Sequence, residues 1–316
     1  MTTRPTLVTG ATGFVGSHLL DLLADDAPVV AWYRPGGRPP DATRPIDWQA
    51  VDLVDADGVR AAIEDATPSR IFHLAGESAV DRSYRSVVPH LRANALGTHY
   101  LLEAVRHATW PCRVLVVTSA QVYQIGDDPI DESAPLIPRT PYGFSKLAQD
   151  QLALRAATED GLDVVVARPF NHIGPRQQPG FAVSSFARQI ARIEAGLEPA
   201  VLRVGNLDAR RDVTDVRDVV EAYHVLMAGA PVGRPYNICS GRAWRMGDLL
   251  EELVQLARVR VELEVDADRL RPSDIPVVQG DASRLRTEFG WAPRIPVEQT
   301  LADTLDWWRD EVRSGR

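Results

Sequence analysis

"TLVTGATGFVGSHLLDLLADD", residues 6–26, decides the fold. "TLVTG" is a short apolar run that reads as a strand, and "FVGSHLLDLLADD" carries Val15, Leu19, Leu22 and Leu23 at helical spacing. Between them lies Gly10-Ala11-Thr12-Gly13-Phe14-Val15-Gly16, and "PVVAWYR" follows the helix as a second apolar strand. Strand, glycine turn, helix and strand in that order make a right-handed parallel unit. The three glycines serve a tight turn, a close approach of backbone to a pyrophosphate, and close packing of the helix, whose N-terminus is positive. Gly10, Thr12, Gly13, Phe14, Val15 and Gly16 are therefore expected to hold a dinucleotide.

The alternation continues through "RIFHLAG", a helix in "GTHYLLEAVRHA", "RVLVVTS", a helix after Pro141, and "LDVVVARPF". Strands that read as unbroken apolar runs are covered on both faces. The fold class expected is α/β, a Rossmann-like doubly wound parallel sheet. After Phe170 the rhythm changes: "NHIGPRQQPG" reads as loop, two amphipathic helices follow, and "RPYNICSG" reads as one more strand of the first sheet. Residues 1–170 with 212–241 are expected to form the dinucleotide-binding domain. Residues 171–211 with 242–316 are expected to form a smaller, discontinuous substrate domain.

With 316 residues, 45% hydrophobic and 25% charged, the composition is that of a soluble globular chain. No run is long enough to span a bilayer, and glycines, His18 and Asp21 break the N-terminal apolar stretch, which argues against a secretion signal. Cys112 and Cys239 stand alone, without metal-ligand spacing, and fit a reducing cytoplasm. A net charge of −8 argues against nucleic acid as a partner. Arg203, Arg210 and Arg211, and again Arg269 and Arg271, cluster locally, which suits either a phosphorylated small molecule or solvated surface.

At the end of the second strand an acid would bind the adenosine ribose and a base would accept a 2′-phosphate. The residue there is Arg34, which favours NADP(H) and leaves NAD(H) open. Asp52, in "AVDLVD", is placed to meet the adenine amino group or to serve as an ordinary turn aspartate. In "TPYGFSK", Thr140 reads as an N-cap and Pro141 as the first helical residue, so Tyr142 and Lys146 share a face. Beside a dinucleotide, an ammonium near a phenol would lower its pKa from about 10 toward neutrality. Ser119, ending "VLVVTS", is placed to polarise the same carbonyl.

These motifs, with "FHLAGES", "NALGTHYLLEAV", "TSAQVY", "RPFNHIGP" and "RPSDIP…GDASRL…FGWAP" in order, resemble the extended short-chain dehydrogenase/reductase family along nearly the whole chain. The resemblance implies that Ser119 binds the carbonyl, that Tyr142 is the acid/base, and that Lys146 holds the nicotinamide ribose. It adds Leu53, Leu74, Ala75 and Gly76 to the cofactor contacts. "FNHIGPRQQPGFAVSSFARQIARIEAG" and "VGNLDARRDVTDVRDVV" look most like the GDP-mannose branch. Gln121, Asn171, Arg188, Arg211 and Arg271 then match its sugar- and diphosphate-binding positions.

The dehydratases of that branch carry a Glu where this chain has Gln121, and an amide is no base. The activity implied is NADPH-dependent reduction of the C4 ketone of a GDP-4-keto-6-deoxy-hexose. The alternatives are a nucleotide-sugar C4 epimerase with retained NAD, a GDP-mannose 4,6-dehydratase, and a non-catalytic NADP-sensing protein. Gln124 and the Gly-Glu of "HLAGES" depart from the family pattern around the sugar pocket. The resemblance also implies a homodimer built through the Tyr142 helix and "LGTHYLLEAVRHA".

Overall fold

The computed structural model describes residues 4–24, 28–39, 45–78, 84, 86–269 and 275–315. Six strands come first: β1 (Thr6–Thr9), β2 (Val29–Tyr33), β3 (Ile46–Ala50), β4 (Arg70–His73), β5 (Arg113–Val117) and β6 (Asp163–Pro169). Then follow β7 (Asn171–Ile173), β8 (Val201–Val204), β9 (Arg210–Asp215), β10 (Pro235–Ile238), β11 (Ala243–Arg245), β12 (Glu262–Val265) and β13 (Val277–Val278). Seven of them form one parallel sheet in the order β10-β6-β5-β4-β1-β2-β3. The order reverses between β1 and β4, and ligands of doubly wound sheets bind outside the strand ends at such a switch point.

Period-two alternation sorts the apolar side chains onto two covered faces. Leu7, Val30, Ile71, Val114 and Val164 pack with Val59 and Ile63 of helix Ala56–Ala66, Leu101 and Val105 of helix Gly97–Arg106, and Ala153 of helix Pro141–Thr158. Their neighbours Val8, Ala31, Phe72, Leu115 and Val165 pack the other way, against Leu19 of helix Phe14–Leu22 and Val219 and Leu226 of helix Val216–Gly229. Both faces are dry, as the unbroken apolar runs predict.

A separate apolar cluster joins helices Ala182–Glu194, Met246–Gln255 and Val297–Arg313 through Phe186, Ile190, Leu249, Leu301 and Leu305. Beside it, β9 pairs with β7, β11 and β13, and β12 pairs with β8.

Three details differ from the sequence expectation. Residues 171–173 are a strand because Asn171 pairs with Val213 and Ile173 with Asp215. The partner supplies the ladder that three residues cannot specify alone. All of β9 belongs to the smaller sheet, so the boundary after residue 211 falls inside a strand. The segment 282–291, assigned above to the substrate domain, places Ala282, Leu285 and Trp291 in the core of the large sheet. Glu288 accepts a 2.7 Å hydrogen bond from the Tyr236 hydroxyl of β10 there.

Candidate active site

The glycine turn sits at the switch point. Gly10 has φ +68°, and a Cβ on it would lie 2.8 Å from Ala75 Cα, so the loop after β4 closes directly on the turn. This brings Leu74 and Ala75 beside Gly10, while Gly76 faces Asn94 and Lys146. Gly13 caps helix Phe14–Leu22 without a side-chain hydrogen bond, and Thr12 and Gly13 are exposed, so the first helical amides are open to an anion. Gly16 is buried under the turn and Val15 packs on the core. Phe14 stacks on His172 at 5.8 Å, which ties the turn to β7. The uncapped amides and the glycines at 10, 13 and 16 fit a dinucleotide pyrophosphate.

Arg34 extends from β2 with its side chain 75% exposed, its Nη2 3.5 Å from Glu77 Oε1 in the loop after β4. Asp52 is exposed and accepts from the Val54 amide at 3.1 Å, the turn role foreseen as its alternative, next to half-buried Leu53.

Thr140 caps helix Pro141–Thr158 by accepting from the Gly143 amide at 2.9 Å, with Pro141 at its start. A Cβ on Gly143 would lie 2.6 Å from the Gln121 carbonyl oxygen and 2.9 Å from Pro138 Cβ. The glycine therefore lets the Ser119–Gln121 turn reach Tyr142. Ser119 accepts from the Gln121 amide at 3.1 Å, and its hydroxyl hydrogen-bonds the Tyr142 side chain. The Gln121 side chain accepts from Thr140 Oγ1 at 3.0 Å. Tyr142 lies edge-on to His90, with ring centroids 6.4 Å apart.

The acidity of Tyr142 runs opposite to the sequence expectation. Burial pushes its hydroxyl up to about 12, and the Ser119 hydrogen bond opposes this only in part. Lys146 is buried as well, and desolvation brings its ammonium down from 10.5 to about 7. Its Nζ donates to the Val117 carbonyl at 3.1 Å and to Gln149 Oε1 at 2.7 Å. A lysine that itself loses charge near neutrality cannot hold its neighbour ionised.

Sequence reasoning missed the buried polar frame below these residues. Arg168 of β6 clamps Asp150 with contacts of 2.9 and 2.8 Å, and donates to Tyr123 Oη at 2.9 Å. Thr118 donates to Asp150 at 3.1 Å, and Tyr123 donates to Asn237 of β10 at 2.7 Å. The helix carrying Tyr142 and Lys146 is thereby fixed to β5, β6 and β10.

The suggested substrate residues divide. Asn171 is exposed on β7, beside β9. Arg211 of β9 donates to the carbonyls of Arg210 and Ile275 at 2.8 and 2.7 Å. Arg188 places its guanidinium over the Trp308 ring at 5.8 Å, so it helps join two helices of the smaller cluster. Arg271 lies outside the described residues.

A family model described as GDP-mannose 4,6 dehydratase matches residues 7–304. The chain belongs to the GDP-mannose 4,6-dehydratase family. Within reach of this family, GDP-6-deoxy-D-mannose reductase of Pseudomonas aeruginosa is 37% identical over 314 residues, 98% of this chain and 99% of that protein. The solved structure of RMD from Pseudomonas aeruginosa complexed with NADPH superposes with a TM-score of 0.86 at 35% identity, covering 98% of this chain and 100% of that one. dTDP-glucose 4,6-dehydratase of Streptomyces niveus is 32% identical over 82% of this chain and 75% of that protein.

For a member of the GDP-mannose 4,6-dehydratase family, one compositional signal marks the site. Of the 35 lysine and arginine residues, Lys146 is the single lysine. Arginine serves for salt bridges and surface charge throughout this chain, but it cannot titrate near neutrality and lysine can. Among the described residues no helix is long and apolar enough to cross a membrane.

Proposed function

We propose that the protein reduces the C4 ketone of a GDP-4-keto-6-deoxy-hexose, GDP-4-dehydro-6-deoxy-D-mannose, to GDP-D-rhamnose or its C4 epimer, with NADPH as reductant. The observation that carries this reading is the neutral amide of Gln121, held by Thr140 at the start of the Tyr142 helix, where a dehydratase needs a carboxylate. Bound NADPH supplies the hydride. Ser119 polarises the ketone oxygen, and Tyr142, protonated across the physiological range, gives its proton to that oxygen as C4 becomes an alcohol. Lys146 anchors the nicotinamide ribose beside Gly76, and Asn171 and Arg211 engage the sugar and diphosphate.

An epimerase or dehydratase begins by oxidising an alcohol and regenerates its cofactor within the cycle, whereas a ketoreductase consumes one NADPH per turnover. Dehydration also needs a carboxylate where Gln121 stands. Consumption of one NADPH per keto-sugar reduced, followed by the absorbance of the reduced cofactor, tests the proposal. GDP-mannose with NADP⁺ is expected to give no keto product, and comparable rates in the two assays would overturn the reductase reading.

The preference for NADPH is assigned to Arg34, whose guanidinium exchanges Glu77 for the 2′-phosphate. Arg34→Asp is expected to weaken NADPH binding about 10-fold or more and to improve NADH relative to it, measured by calorimetry. Wild-type binding of NADH as tight as NADPH would contradict the assignment.

We also propose a homodimer through helices Gly97–Arg106 and Pro141–Thr158. Val88 and Phe144 are 63% and 56% exposed, and Leu91, Arg92, Ala95, Leu96, His99 and Leu152 line a mainly apolar hollow formed by these helices and the Leu91–Leu96 turns that lead into the first of them. Soluble monomers rarely leave such faces uncovered. Leu91→Arg is expected to give a monomer by light scattering, because it places an unpaired charge in the contact. An unchanged mass would mean that the copies meet elsewhere.

A further inference from the structure

We propose that Gln149 is the positioning residue of Lys146, held by a directed hydrogen-bond chain through Thr98, His73 and Thr9 to the backbone of Ala75. The chain fixes every proton. Thr98 Oγ1 donates its one hydrogen to the Asn94 carbonyl at 2.7 Å, so toward its other partners it only accepts. Those partners are Gln149 Nε2 at 2.9 Å and His73 Nε2 at 2.8 Å. His73 therefore carries its hydrogen on Nε2. Its Nδ1 accepts from Thr9 Oγ1 at 2.8 Å, and Thr9 Oγ1 accepts from the Ala75 amide at 3.2 Å. With the amide nitrogen of Gln149 committed to Thr98, its oxygen must face Lys146, where it accepts at 2.7 Å.

Thr9, His73, Thr98 and Gln149 are all fully buried, so water cannot substitute for a lost partner. The chain runs from the lysine to the loop that closes on Gly10. A Cβ on Gly76 of that loop would lie 3.6 Å from Lys146 Nζ. The lysine and the cofactor turn thus form one rigid polar unit. Gln149 and the Val117 carbonyl are both acceptors, so they hold Nζ in place whether it is ammonium or amine.

The groups that bear on its charge are few. Tyr142 and Asp150 share its helix, and Asp150 is paired with Arg168. His73 on β4 stays neutral, its pKa lowered to about 3 by burial and by Lys146 itself. His90 faces Tyr142 edge-on, and Glu77 of the loop after β4 pairs with Arg34. Among the described residues Lys146 makes no ion pair.

The inference rests on the reading of Lys146 as part of the reducing site, but its main readout needs neither sugar nor turnover. Since Lys146 is the only lysine, protein labelled with 13Cε-lysine gives one lysine resonance whose pH titration reports this group alone. The wild type is expected to titrate near 7. Gln149→Glu keeps the side-chain length and puts a carboxylate against Nζ, giving up only the Nε2–H bond to Thr98, so the midpoint should rise by about one unit or more. Gln149→Leu removes the acceptor and should lower kcat about 10-fold or more with a smaller change in KM, while Gln149→Glu, which keeps the acceptor for Nζ but loses the donor to Thr98, should lower it less. A midpoint that stays the same in Gln149→Glu overturns the proposal, even if Gln149→Leu proves too unstable to assay. An absent keto-sugar activity with the predicted shift would instead fault the reductase reading alone.

Discussion

Tyr142→Phe is expected to lower the turnover of keto-sugar reduction by about 10²-fold or more while changing the Kd for the keto-sugar little. The ring is buried and keeps its packing against His90 in the variant, so only the hydroxyl is lost. That hydroxyl is the proton donor, and burial holds it protonated to about 12. The sign of the pH dependence follows. A reduction that uses the neutral phenol loses no rate to tyrosine ionisation until well into the alkaline range. An inflection near 7 belongs to Lys146, whose charged form predominates below that pH, and it should persist in the phenylalanine variant. Near wild-type turnover in Tyr142→Phe would mean that another acid protonates the alkoxide.

Arg168→Leu is expected to cost about 3–5 kcal/mol of stability, because it leaves the Asp150 carboxylate buried without its partner. The Asp150 and Arg168 side chains are 0% and 2% exposed, so solvent does not screen the loss. Tyr123 loses a donor at the same time. Replacing both charges, in Asp150→Leu with Arg168→Leu, should recover a large part of the deficit, since the pair's worth is offset by the desolvation of each member. Chemical denaturation of the two variants measures this. Equal stabilities of Arg168→Leu and wild type would mean that the pair is not what fixes the catalytic helix to β5 and β6.

The large sheet was legible because its physics is local. Each strand is a short apolar run, and alternate residues such as Leu7 and Val8 must bury on opposite faces. Gly10 and Gly16 announce a turn that only the strand-to-helix crossing requires, and Thr140 with Pro141 marks the start of the catalytic helix. What escaped depends on partners far along the chain. Asn171–Ile173 is a strand only because β9 lies beside it. Leu285 and Trp291 lie within the stretch read as substrate domain, yet their side chains find the core of the large sheet.

In the site, Tyr142, Ser119 and Lys146 were visible as residue types at fixed positions, whereas the acidity of Tyr142 was not. It depends on how deeply the pair is buried, and two neighbouring groups in the sequence look the same wet or dry. Gln149 and Thr98 were hidden for the same reason. On a helix a polar residue is ordinarily read as a solvent-facing one, and only the packing of the two helices shows both sealed beneath the active site.

Hydride is expected to pass from the nicotinamide to C4 of the keto-sugar with net consumption of cofactor. NADPH carrying deuterium at the transferred position, supplied with GDP-4-keto-6-deoxy-mannose, tests it by NMR of the product. One deuterium at C4 of the GDP-6-deoxy-hexose is expected for each NADP⁺ released. Product lacking deuterium, or interconversion of sugars without release of oxidised cofactor, would contradict it.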